Sequence, residues 1–368
     1  MASLPAFVRG ALLNRLNLLL VFAPLSWVAH WMAPETPWPF VLGALSIVPL
    51  AGLIGRATEE LADHSGPTLG GFLNATFGNA AEIIIGLVAL KEGHIAIVQA
   101  SITGSIIGNL LLVFGAATLV GGFGRVSQTF NRTAANNATI MLFLGVVALI
   151  MPAVFDLTLY GRLDQLPPAI YHLSLFTSIL LIVAYAGSLV YSFTTGRSLI
   201  APPPAHRGAS GSGYVPPVGL LAAATALTAV QAEVLVGGVA PVLARFGMSE
   251  LFTGVIIIAL VGNAAEHYSA ITAARRNEMT LAVEIAIGSS AQIALLVAPI
   301  LVLASFAMGT PMTLLFHPFE IVAIGLSVVA TTIVSLDGES NWVEGLQLLA
   351  IYLVVAAAFY LIPAAPGV

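Results

Sequence analysis

A chain of 368 residues that is 58% hydrophobic and only 8% charged, with mean hydropathy +1.00, is excluded from the soluble class, where about a quarter of residues are charged. It reads as an all-α integral membrane protein, with the lipid bilayer as its partner and no nucleic acid implied. No cysteine is present, which removes disulfides, thiolate metal sites and cysteine nucleophiles; the net charge of −5 carries little information, because it sits in loops and at a few positions inside apolar stretches.

Taken in order, proline, glycine and charge clusters cut the chain into about eleven apolar spans, near 12–32, 38–59, 68–90, 94–121, 134–154, 168–193, 217–245, 250–274, 279–307, 318–336 and 344–362. Arg9 and Arg15 precede the first span, but its internal Pro24 and the lack of a small-x-small cleavage site favour a retained helix over a signal peptide. The stretch Arg197–Pro217, rich in Pro, Gly and Ser, is the one clear linker. The expected organisation is an extra N-terminal helix (1–35), a first five-helix repeat (36–196), a cytoplasmic linker (197–216) and a second five-helix repeat (217–368). Five is odd, so the second repeat enters the membrane inverted. Basic residues agree. With the N-terminus inside, Arg9, Arg15, Arg56, Arg125, Arg132, Arg197, Arg207, Arg275 and Arg276 fall on the cytoplasmic side, against Lys91, Arg162 and Arg245 opposite.

The repeat is visible in the residues themselves. Gly78-Asn79-Ala80-Ala81-Glu82 recurs as Gly262-Asn263-Ala264-Ala265-Glu266, 184 positions later. At the same offset Gly104-Ser105 matches Gly288-Ser289, and Leu111-Leu112-Val113 matches Leu295-Leu296-Val297. Glu59-Glu60-Leu61 resembles Glu233-Val234-Leu235, with extra residues intervening in the second copy.

A carboxylate at membrane depth costs roughly 2.5–3.5 kcal/mol on insertion scales, so Glu82 and Glu266 are candidate functional groups. Gly followed by Asn weakens a helix by about 1 kcal/mol for the glycine alone, and a broken helix in lipid survives only where it lines a cavity or is buried in protein. Kinks are therefore expected at Gly78-Asn79 and Gly262-Asn263, with backbone carbonyls freed beside each glutamate. Carboxylates, carbonyls and the amide oxygens of Asn79 and Asn263 form a donor set for a hard cation such as calcium. The same two carboxylates can instead take up protons, since desolvation and mutual repulsion favour protonation of such a pair. Either load neutralises the site, which is the requirement for cation–proton exchange.

Ser105 and Asn109 share a helix face at i, i+4, and Ser289, Ser290 and Gln292 occupy the equivalent region of the second repeat. They serve either as helix–helix contacts or as support for the glutamates. Glu59 and Glu233, the latter set among apolar residues, are expected to form an access path or proton relay. His267 breaks the symmetry, since Ile83 stands in the first copy, and either tunes its glutamate or packs. Glu284 is placed nearer a membrane surface and takes no role. Thr129–Asn137 and Asp337–Glu344 read as loop and cap chemistry.

These motifs, with Ala57-Thr58-Glu59-Glu60-Leu61, Val98-Gln99-Ala100-Ser101, Gly288-Ser289-Ser290-Ala291-Gln292 and Asp337-Gly338-Glu339-Ser340-Asn341-Trp342, resemble the calcium/cation–proton exchangers of the cation/calcium antiporter superfamily over about residues 38–362. The resemblance implies Glu82 and Glu266 as central calcium ligands, Asn79, Asn263 and the Gly78 and Gly262 segments lining the site, and Glu59 and Glu233 in an acidic access path. Ser105, Asn109, Ser289 and Gln292 would lie on polar helices facing it. His267 points to the proton-coupled branch. No acidic residue occurs in Arg197–Pro217, unlike the acidic helix of many eukaryotic members, which favours a prokaryotic cell (inner) membrane. The expected activity is exchange of Ca2+ for H+ by alternating access, with no cofactor and no enzymatic reaction. Sodium or potassium coupling, manganese as substrate and homo-oligomer formation stay open. A passive channel fits a broken-helix inverted repeat poorly, and no hydrolase motif falls within the spans.

Overall fold

The computed structural model describes residues 7–8, 11, 14–161, 167–195 and 213–363; the expected linker, with Arg197 and Arg207, lies largely outside them. A 3₁₀ turn (Arg15–Val21) leads into α1 (Phe22–Met32), followed by α2 (Trp38–Phe77) and α3 (Ala80–Lys91). Next come α4 (Ile95–Ile107), a π-helical turn (Gly108–Val113), α5 (Phe114–Gly122), strand β1 (Gln128–Thr129), α6 (Arg132–Tyr160) and α7 (Pro168–Thr195). The second half begins with α8 (Val215–Gly237) and α9 (Val239–Phe246), then α10 (Glu250–Phe252), a π turn (Thr253–Ile258), α11 (Ala259–Gly262) and α12 (Ala264–Arg275). It closes with α13 (Met279–Gln292), a π turn (Ile293–Val297), α14 (Ala298–Ala307), α15 (Pro318–Ser335), β2 (Glu339–Ser340) and α16 (Trp342–Leu361).

Among the described residues, eight helical stretches are long and apolar enough to cross a membrane, and a bent pair, Glu250–Gly262 with Ala264–Arg275, makes a ninth. The remaining two apolar stretches of the sequence are interrupted. The first changes from 3₁₀ to α geometry at Phe22. The other shares α2: a Cβ on Gly70 would lie 2.7 Å from the carbonyl oxygen of Ala62, eight residues earlier. In a straight helix those residues stand about 12 Å apart, so α2 doubles back between them.

The two halves repeat in register. α3 and α12 begin at Ala80 and Ala264 and end at Lys91 and Arg275, and the π turns after α4 and α13 fall at equivalent positions. The runs 95–122 and 279–307 form the centre, with 83% and 89% of their apolar windows buried, against 22% for α16 at the lipid-facing periphery. Close packing there depends on missing side chains. A Cβ on Gly254 would meet that of Ala100 at 2.5 Å, and one on Gly104 would run into the backbone of Val255.

Contacts at both ends of the 95–122 run show that the repeats are inverted. At its start His94 meets Glu250 at 3.1 Å, and Lys91, at the end of α3, pairs with Glu233 at 3.3 Å. Beyond its far end, Gln128 Nε2 donates to the Ala274 carbonyl at 3.1 Å, and Arg125 reaches the Arg275 carbonyl at 3.4 Å. α3 and α12 therefore run from the middle towards opposite faces. On the Arg275 face, β1 and β2 pair antiparallel with Gln128 opposite Ser340 and Thr129 opposite Glu339.

Local sequence accounts for the caps. Asn131 Oδ1 accepts from the N–H groups of Thr133 and Ala134, and Asn341 with Glu344 forms a reciprocal capping box. The N-terminal helix is tied in by a buried polar contact: Gln231 Oε1 accepts from Ser26 Oγ at 2.7 Å and Ser46 Oγ at 2.9 Å, joining α1, α2 and α8.

Candidate functional site

Both expected breaks are present. Asn79 (φ −100°, ψ 19°) and Asn263 (φ −89°, ψ 18°) leave helical geometry, and the second break bends its span by 60°. Glycine is required at the first: a Cβ on Gly78 would stand 2.5 Å from the Asn74 carbonyl oxygen. Each glutamate then sits in the first turn of the restarted helix, Glu82 on α3 and Glu266 on α12, where helix N-termini favour negative charge.

Glu82 reaches the opposite motif. A Cβ on Gly262 would stand 3.3 Å from Glu82 Cγ and 3.8 Å from its carboxyl carbon, so the missing side chain at Gly262 gives the glutamate room. Both carboxylate oxygens of Glu82 and Oε2 of Glu266 are buried without a hydrogen-bond partner among the described residues. A buried charge in that condition is costly unless a cation or a proton neutralises it.

The asparagines reach across the repeats. Asn79 Nδ2 donates to Gln292 Oε1 at 2.6 Å. Asn109 Nδ2 donates to Asn263 Oδ1 at 3.0 Å, while Asn263 Nδ2 donates to Ser105 Oγ at 2.7 Å and to the Ala259 carbonyl at 2.9 Å. Each broken helix is thereby held by the central helices of the other repeat. Asn109 lies in a π turn and Gln292 immediately before one; such bulges re-aim side chains and recur at functional sites.

The remaining candidates separate. Ser289 and Gln292 face a large cavity, whereas Ser290 is fully buried and donates back to the Ala286 carbonyl at 2.9 Å. Glu59 lines that cavity beside Arg56. Glu233 does not lie deep among apolar groups: its side chain is 57% exposed and paired with Lys91, because the turn of α8 that bears it faces outward at the end of α3. His267 is half-buried and does not line the cavity, being one step round α12 from Glu266. At the Lys91 end, His94 has its pKa raised above the ordinary value, chiefly by its hydrogen bond to Glu250.

Access to the two glutamates is unequal. A cavity of about 490 Å³ opens on the Arg275 face between α2, α12, α13 and the N-terminal turn, and reaches Gly78 and Glu266. The space beside Glu82, bounded by Ser101, Ser105, Ile258, Gly262 and Leu301, measures only about 10 Å³, no more than one water requires. The cavity is also lined by residues to which the sequence reading gave no role, among them Asn74 and Glu284, and Glu284 lies on the cavity wall rather than idle near a membrane surface. Glu284 could have been found by stepping back from Gln292 along α13 at i−4 and i−8, which keeps to one helix face. No group of three or more His, Asp or Glu side chains converges among the described residues; a cation at this centre would be held by carboxylates together with amide and main-chain oxygens, a hard donor set.

The sequence profile of the sodium/calcium exchanger protein family matches residues 36–194 and 216–361. The chain is 41% identical over 365 residues to the Ca(2+)/H(+) antiporter of Aphanothece halophytica, covering 95% of this chain and 97% of that protein. It is 44% identical over 358 residues to the Ca(2+)/H(+) antiporter ChaA of Bacillus subtilis, covering 95% and 100%. The solved structure of native YfkE superposes with a TM-score of 0.81 at 40% identity, over 94% of this chain and 100% of that one. The H+/Ca2+ exchanger CAX shares the fold, with a TM-score of 0.68 at 16% identity over 94% and 92%. On the family profile and on identity across nearly the whole chain, this protein belongs to the sodium/calcium exchanger protein family.

Proposed function

We propose that the chain is a secondary antiporter that exchanges Ca2+ for H+ at Glu82 and Glu266. The carrying observation is that Glu82 lies against Gly262 of the opposite motif while three carboxylate oxygens of the two glutamates stay buried without a hydrogen-bond partner among the described residues. A bare dianion in such surroundings resists movement through the membrane. One divalent cation, or a pair of protons, removes the charge and lets the central helices re-pack, so each load crosses only by leaving room for the other. The relatives named Ca(2+)/H(+) antiporter, at 41% and 44% identity, support calcium as the cation and protons as the counter-load.

The unequal access supports a stage in that cycle. With the arginine-rich face in the cytoplasm of a prokaryotic cell, as the distribution of basic residues favours, the cavity opens inward to Glu266 while the path beside Glu82 is closed. Calcium is loaded from the cytoplasm in this shape, and closure of the cavity with opening beside Glu82 releases it outside. Glu59 lies in the cytoplasmic approach and Glu233 at the opposite face, one for each end of the passage.

The test is calcium uptake into proteoliposomes driven by an imposed pH gradient. Glu82→Gln and Glu266→Gln are each expected to abolish uptake in protein that remains folded by size-exclusion chromatography. Normal uptake by both variants would sink the proposal, and uptake driven by a sodium gradient without a pH gradient would move the coupling from protons to sodium.

A further inference from the structure

We infer that Glu284 is a staging carboxylate in the cavity: it holds an arriving divalent cation part-way between the Arg275 face and Glu266, and it works on that side of the membrane only. The inference rests on the proposed exchange and adds a residue that the repeated motifs do not contain.

Three observations carry it. First, position: α13 runs along the cavity wall from Glu278 at its rim to Gln292 beside the broken helix, and Glu284 lies between them on that wall. At 1.5 Å per residue it stands about 9 Å in from Glu278 and about 12 Å short of Gln292. Gln292 holds Asn79 of the first motif, so the wall that bears Glu284 leads to the centre. The inner end of the cavity is Glu266, whose Oε2 is fully buried and has no hydrogen-bond partner among the described residues.

Second, chemistry: Glu284 is half-buried, and its carboxylate forms no ion pair or hydrogen bond among the described residues. A structural carboxylate on an apolar helix is ordinarily matched by a cation or capped by N–H groups. The buried Glu320 at the start of α15 shows that arrangement, since its Oε2 accepts from the His317 N–H at 2.8 Å. Glu284 has no such explanation, and what it faces is a cavity of about 490 Å³.

Third, asymmetry: the equivalent position of the first repeat, 184 residues earlier, is Ala100. Ala100 is completely buried and its methyl fills the space over Gly254, so no carboxylate can stand there. The passage on the Lys91 face therefore lacks this group. A carboxylate confined to one entrance raises the local cation concentration at that entrance and leaves binding from the other side unchanged.

The absence of cysteine makes the experiment direct. Val126→Cys, at a position 96% exposed on the Arg275 face, reports orientation in liposomes through an impermeant thiol reagent, and 45Ca flux is then measured with calcium presented to one face at a time. In Glu284→Gln the KM for calcium from the cavity face is expected to rise roughly tenfold, with the maximal rate within about twofold and the KM from the opposite face unchanged. Glu284→Asp should restore much of the loss. Glu339→Gln, which removes an exposed charge on the same face outside the cavity, should change neither. An unchanged KM at the cavity face, an equal change at both faces, or a loss of rate without a change in KM each overturns the inference. Wild-type protein that moves no calcium under a pH gradient would overturn the underlying exchange and this role with it, an outcome distinct from failure of Glu284 alone.

Discussion

The two copies of one five-residue phrase end in different surroundings. Glu266 stands at the inner end of a cavity of about 490 Å³, while Glu82 is enclosed beside a space of about 10 Å³. Their sequences are identical from Gly to Glu and their helices start and stop at equivalent residues, so the motif itself cannot be the cause. The difference lies in what packs against each. α3 is covered by α8, by α4 and by Leu301 of α14; α12 meets α2 where that helix doubles back and leaves an opening. Identical chemistry in unequal packing is what the proposed alternating access needs, since exchange of the two packings moves the opening without altering the side chains that face it.

The contrast can be broken most directly by labelling. Ala265 lines the cavity whereas Ala81 is 3% exposed. Ala265→Cys is expected to react with a small impermeant thiol reagent roughly a hundredfold faster than Ala81→Cys, the ratio for an opening cost of about 3 kcal/mol. Equal rates would mean that the two passages are equally open.

Packing that closes the Glu82 side comes next. Gly104→Ala would drive a methyl into the Val255 backbone, with an expected loss of about 1–3 kcal/mol as in other overpacked interiors. Thermal unfolding in detergent reads this, and an unchanged midpoint would show that α4 can shift freely.

A smaller effect separates the asparagines' supports. Asn263→Ala strands Asn109 Nδ2 and removes the donor to Ser105 Oγ, which should cost about 1–2 kcal/mol of stability. The double variant Asn109→Ala/Asn263→Ala should lose less than the sum of the singles, and additive losses would show that the pair is not coupled.

The smallest effect concerns the face remote from the cavity. The pKa of His94 is raised by Glu250, so the pair's contribution to stability is present below the ordinary histidine value of 6.5 and is lost as pH rises through the higher folded value. His94→Gln should therefore lower stability by about 0.2–1 kcal/mol in acid and leave it unchanged above the raised pKa. Loss of equal size at both ends of the pH range would contradict the pairing.

Much of this arrangement was legible from local signals. The repeat offset located both motifs, the Gly-Asn pairs marked both breaks, and Asn131 and Asn341 marked caps that need only neighbouring N–H groups. Glu233 was harder. Its apolar neighbours suggest depth, yet it lies exposed against Lys91, because burial depends on which side of α8 another helix covers. Glu284 fared similarly: its spacing puts it on the same face of α13 as Gln292, but that this face borders a cavity is known only once the opposing wall is in place.

By itself the sequence determined the membrane class, the inverted duplication, the two broken helices and the glutamates that follow them, since these depend on composition, periodicity and backbone preference within a few residues. Only the tertiary structure decided that Glu82 rests against Gly262, that Asn263 is held by Asn109 and Ser105, and that one glutamate is open while its twin is sealed. Those outcomes turn on tenths of an ångström between helices distant in sequence, where a missing Cβ at Gly104 permits a backbone contact that any side chain would prevent and one at Gly262 leaves room for Glu82. Identical motifs specify identical side chains; the space around them is specified by everything that packs against them.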